Sequence, residues 1–127
     1  MTDAHTKGSP RTFIANTRAR LIAERDEIKR YLTSATVISG EPWRVALKDG
    51  TPINTRPNGG YGLSFNGLAL CFRSSAEAQR LADAWNAEVH DLPVVVMTER
   101  DLRNARIATI DGLIAGLDEA LDELPPG

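Results

Sequence analysis

Cysteine and histidine are nearly missing from this chain. Cys71 stands alone, so no disulfide can form within one molecule, and a lone thiol fits a reducing compartment. His5 lies in the N-terminal tail and His90 near a helix end, so no His or Cys set has the spacing of a metal site, and no cofactor is expected. Long apolar runs are missing as well. Nothing approaches the ~18 residues of a membrane-spanning helix, so no membrane partner is expected. The opening MTDAHTKGSPRT has no apolar core of the kind a secretory signal needs, and a cytoplasmic chain is expected.

Catalytic groupings are equally scarce. Cys71 has no histidine nearby in sequence and reads as a small packing residue. The run Gly59-Gly60-Tyr61-Gly62 leads into a strand rather than a helix N-terminus, so it lacks the setting of a phosphate-binding loop. The acid pairs Asp118-Glu119 and Asp122-Glu123 lie on a helix surface, where solvation is the simplest account of them. An enzyme is not expected.

Neither sign of charge dominates, but the two are unevenly laid out. The net charge is −2, with seven basic and four acidic residues in 1–33 against three basic and seven acidic in 99–127. The basic part reads as a helix over 10–32, following a tail over 1–9 that is expected to be disordered. Ile14, Leu21, Ile22, Ile28, Tyr31 and Leu32 form its apolar side. The acidic part is a helix over 98–124, opened by Thr98-Glu99-Arg100-Asp101, in which a capping hydroxyl and two acids suit the positive end of the helix dipole.

Along that last helix Ile107, Ile110, Ile114, Leu117, Leu121 and Leu124 recur at a 3-4 spacing, which makes a narrow seam for another helix. Two readings of the seam stand. It packs against the N-terminal helix or the sheet within one molecule, or it forms a homodimer through Ile107, Ile110, Ile114, Leu117 and Leu121.

The middle of the chain carries the strands. A short strand is predicted at 36–39, then Trp43 to Lys48 as a half-buried strand in which apolar residues alternate with basic or small ones, closed by an Asp49-Gly50 turn. Pro52 makes the next piece an edge or a loop, and NTRPNGG over 54–60 an exposed loop carrying Arg56. Asn66-Gly67 predicts a two-residue type I′ hairpin that sets Phe65 opposite Leu68, Leu63 opposite Leu70 and Tyr61 opposite Phe72 on one core face. Ser74-Ser75-Ala76-Glu77 then opens a helix whose stripe of Ala78, Leu81, Ala82, Trp85 and Val89 covers that face. The run Val94 to Met97 reads as a buried strand beside the hairpin.

These elements predict a single α+β domain over 1–127. An antiparallel or mixed sheet of four to five strands packs against three helices, in the order α-β-β-β-β-α-β-α.

With no chemistry to assign, function is sought on surfaces. The size of the chain, the lack of catalytic motifs and the unit GLSFNGLALCFRSSAEAQRLADAWN resemble in general character the small proteins encoded by bacteriophages and mobile elements, the anti-CRISPR inhibitors among them. That resemblance implies a non-enzymatic module that occupies a surface on a host nucleoprotein or defence complex, with acidic side chains meeting basic sites. Partner-binding candidates are Arg56 and Asn58 in the loop and Asp118, Glu119, Asp122 and Glu123 on the last helix. The alternative is a nucleic-acid-binding accessory protein that tracks phosphates with Arg11, Arg18, Arg25 and Lys29. Against it stands a pI of about 5.7, far from the basic footprint of such domains.

Overall fold

The computed structural model describes residues 9–33 and 41–125. Three helices and five short strands follow one another as α1 (Pro10–Leu32), β1 (Trp43–Ala46), β2 (Ile53–Thr55), β3 (Tyr61–Leu63), β4 (Leu68–Ala69), α2 (Ser75–Glu88), β5 (Val95–Thr98) and α3 (Glu99–Glu123). This is the α+β domain and element order that the sequence predicts. The strand expected at 36–39 and residues 1–8 of the tail lie outside the described residues.

All three helices start on a hydroxyl. Ser9, Ser74 and Thr98 accept from the amides of Thr12, Glu77 and Asp101 at 3.1–3.2 Å, each filling one of the donors that a helix N-terminus leaves unpaired. Pro10 sits in the first turn of α1, where its missing N–H costs nothing. After α2 the chain turns on two side chains. Trp85 donates its indole N–H to the Leu92 carbonyl at 3.0 Å, and Asn86 exchanges two 2.9 Å bonds with the backbone of Val94.

The strands fall into two small antiparallel sheets, β1-β5 and β3-β2-β4. Two bridges link them, Trp43 with Phe72 and Ala46 with Pro52. Pairing differs from expectation in three places.

First, β3 and β4 do not pair with each other. Both flank β2, with Ile53 opposite Leu63, and Thr55 opposite both Tyr61 and Leu68. The hairpin turn is instead the 56–60 segment, closed by Arg56 N–H to Gly60 O at 2.6 Å and Gly59 N–H to Arg56 O at 2.9 Å, with Gly59 at φ +89°. Residues 64–67 carry the chain across the end of β2. Gly67 serves that crossing: a Cβ there would stand 2.6 Å from the Thr55 carbonyl oxygen, and Asn66 has no positive φ, so no type I′ turn forms.

Second, β2 is a central strand despite Pro52. The proline precedes the ladder, so no ladder donor is lost. Third, β5 pairs with β1 instead of lying beside the hairpin, and Val95 is exposed while Val94 is buried.

Two apolar clusters result. Ala78 and Ala82 of α2 bury against Val45, Ile53 and Val94, with Trp43, Leu63, Leu70, Phe72 and Trp85 packed around them. Leu21 and Ile28 of α1 bury against Ile110 and Ile114 of α3, joined by Ile107 and Leu117. The α3 seam is therefore filled by α1 within one molecule. Tyr61, Phe65 and Leu68, expected in the core, are exposed, while Leu63 between them packs against the cluster under α2. Cys71, expected to pack, is exposed too, since Leu70 and Phe72 take the inward positions on either side of it.

Gly50 and Gly112 make a contrast that checks this packing. At Gly50 (φ +92°) a Cβ would lie 2.7 Å from Arg106 N and 2.8 Å from Leu102 O, whereas nothing lies within 4 Å of one at Gly112. Urea unfolding should show Gly50→Ala losing about 2–3 kcal/mol and Gly112→Ala gaining ~0.5–1 kcal/mol in its helix interior.

Candidate functional site

Strand β1 is covered on both faces. Val45 enters the cluster under α2, and alternation sends Arg44 the other way, toward the first turn of α3, where it is 4% exposed. A buried guanidinium needs acceptors, and each of its three nitrogens has one. Nη1 donates to Glu99 Oε1 at 2.7 Å, Nη2 to Asn54 Oδ1 at 2.8 Å and Nε to the Leu70 carbonyl at 3.0 Å.

Asn54 passes the network on by donating to Ser64 O at 2.8 Å, which pins the crossing segment. Glu99, also 4% exposed, meets Arg103 Nε with its second oxygen at 2.9 Å. That contact is an ion pair whose N–H is not directed along it, so neither atom completes a hydrogen bond.

Above this network lies a cleft of about 260 Å³ between α1, α3 and the 65–69 segment. Its polar rim is Glu24, Arg103 and Arg106, and its apolar wall Ile28, Phe65 and Leu102. Arg106 holds Glu24 through two nitrogens at 2.8 and 3.2 Å and lies 4.4 Å over the Phe65 ring. Arg103 lies 3.7 Å over the Tyr31 ring.

The nucleic-acid and acidic candidates meet one another. Arg18 Nε donates to Asp118 at 2.5 Å and Arg25 Nη1 to Asp111 at 3.0 Å, so the basic face of α1 is spent largely on the acidic face of α3. The Asp111 hydrogen bond raises the Arg25 pKa above its ordinary value, with Asp111 and Asp26 charge adding to it against partial desolvation. Arg11 caps the end of α3, donating through Nη2 to the carbonyls of Leu121 and Leu124 at 2.8 Å each, and through Nε to Pro125 at 3.3 Å. Lys29 has no partner among the described residues. Glu119, Asp122 and Glu123 are exposed.

Arg56 and Asn58 stand on the exposed 56–60 turn. Asn58 Oδ1 accepts from Gly60 N–H at 3.0 Å, and the Arg56 side chain lies over Gly62, whose missing Cβ leaves it room. On the same hairpin Tyr61 and Leu68 stand opposite Thr55, so the three share one face of the sheet. That face is continuous with buried Ile53 and half-buried Leu63, but Tyr61 is 53% and Leu68 75% exposed.

The Arg44–Glu99–Asn54 network and the Tyr61–Leu68 row are not among the functional candidates read from sequence, which places Tyr61 and Leu68 in the core. Each had a local explanation, Arg44 as the polar half of an alternating strand and Glu99 as a first-turn acid. Nothing short of the pairing of β1 with β5 brings them together. Among the described residues no three His, Cys, Asp or Glu side chains are grouped to hold a metal ion. Compared with protein-family models, curated proteins and solved structures, the chain matches none.

Breaking a buried pair from one side leaves an uncompensated charge, a loss of roughly 3–5 kcal/mol. Glu99→Leu should therefore approach that loss in urea unfolding, while Arg44→Met/Glu99→Leu should recover part of it. At the other end of the molecule, Arg11→Ala should cost ~1 kcal/mol. Hydrogen exchange should then quicken in the last turn of α3 and leave α2 unchanged.

Proposed function

We propose that this chain is a small non-enzymatic module that binds a protein partner through the exposed end of the core-side face of the β3-β2-β4 sheet. The observation that carries this reading is the row of Tyr61, Thr55 and Leu68. Two large side chains stand in register on a face that continues the core but, among the described residues, has no helix over it. Arg56 and Asn58 border the row at the turn.

A partner with an acidic rim around an apolar centre suits this arrangement, the apolar row supplying affinity and Arg56 orientation. Burying both side chains is worth about 3–6 kcal/mol by area, of which part goes to ordering the interface.

The reading extends to an inhibitor of phage or mobile-element type that occupies a surface on a host nucleoprotein or defence complex. Glu119, Asp122 and Glu123, exposed on the outer side of α3, would provide a second contact with basic surfaces built to hold nucleic acid. The internal pairing of Arg11, Arg18 and Arg25 favours a protein partner over a nucleic acid.

The test is capture from lysate of the native cells with immobilised chain. Wild type and a Leu113→Ser control, altered at an exposed leucine of α3, should retain the same protein. Tyr61→Ser/Leu68→Ser should lose it with an unchanged circular dichroism spectrum. No protein retained by wild type, or the same protein retained by the double variant, overturns the reading.

A further inference from the structure

The cleft beside the buried network has an unbalanced charge. Three arginines, Arg44, Arg103 and Arg106, line it with two acidic residues, Glu24 and Glu99. Arg44 and Glu99 Oε1 account for each other at 2.7 Å, and Arg106 and Glu24 do so through two contacts. The surplus falls on Arg103. Its Nε shares Glu99 Oε2, already neutralised by Arg44, and its terminal nitrogens have no acceptor among the described residues. Residues 34–40, SATVISG, include no charged side chain.

Stacking on Tyr31 at 3.7 Å holds the Arg103 guanidinium in place. A fork of two parallel N–H donors fixed in this way matches the two oxygens of a carboxylate. Around it the cleft offers the Phe65 ring, Ile28 and Leu102 as an apolar wall.

We propose that this cleft is a binding site for a small monocarboxylate with a flat apolar body, whose carboxylate pairs with Arg103 and whose body lies against Phe65 and Leu102. One surplus positive charge decides the class. A monoanion closes the balance, whereas a phosphate, nearer two negative charges, would leave net charge in a half-buried site, where uncompensated charge is costly. The site is separate from the Tyr61–Leu68 row, so it stands or falls independently of the partner reading.

Benzoate is the probe, with benzamide as its uncharged isostere and inorganic phosphate as a competing anion, followed by amide chemical shifts of the full chain. Benzoate should give saturable shifts at Phe65, Leu102, Arg103 and Arg106, and benzamide should bind at least about ten-fold more weakly, the scale of one charge-assisted pair. Arg103→Gln, which leaves the Arg44–Glu99 bond in place, should lose about ten-fold in benzoate affinity with the rest of its spectrum unchanged. Shifts that fail to saturate, equal binding of benzamide, or phosphate binding tighter than benzoate would each overturn the assignment, with no variant needed.

Discussion

The Arg44–Glu99 pair sets the terms for everything around it. Two charges taken out of water cost several kcal/mol each, and their attraction offsets this only when the geometry is good and the remaining donors are filled. Here the filling comes from β1, β2, the segment after β4 and the first turn of α3. None of these can shift alone without exposing a bare charge to apolar surroundings. Five strands of two to four residues are too short to hold a sheet by ladder bonds alone. The polar network supplies the alignment that longer strands would otherwise provide, and the two apolar clusters pack on either side of it.

Charge plays a different part in the helix pair. The sequence separates a basic beginning from an acidic end, which on its own suggests a basic surface open to a polyanion. In the fold the two ends run antiparallel, and Arg18 with Asp118, Arg25 with Asp111, and Arg106 with Glu24 form a ladder along them. Exposed rungs of this kind contribute little each, mostly under 1 kcal/mol, but they fix which way the helices run. The asymmetry is thus consumed inside the molecule rather than presented outside it.

What could be read from the residues alone follows a physical division. Helix starts depend on contacts three residues apart, so Ser74 and Thr98 announce α2 and α3, and the 3-4 spacing from Ile107 to Leu121 names the face that α1 covers. Strand pairing depends on partners chosen at a distance. Two glycine-bearing segments, 56–60 and 66–67, compete to be the hairpin turn, and local turn chemistry favours the Asn-Gly pair. In the fold the 56–60 segment closes the hairpin, and the Asn54 side chain holds Ser64 across the strand end. For the same reason Tyr61 and Leu68 could not be recognised as surface. The Arg44–Glu99 pair, 55 residues apart in sequence, was equally hidden, since each residue already satisfies the local rule for its element.

The dependence of α1 on α3 also orders events in time. The hydrogen bonds that Arg11, Arg18, Glu24 and Arg25 make with the last helix and the residues just after it span sequence separations of 82 to 114 residues. At about 5–20 residues per second of synthesis, the apolar side of α1 waits several seconds before its cover emerges from the ribosome. The first helix is therefore the last to be seated, and a chain cut short before α3 carries a basic amphipathic helix with nothing to sit on.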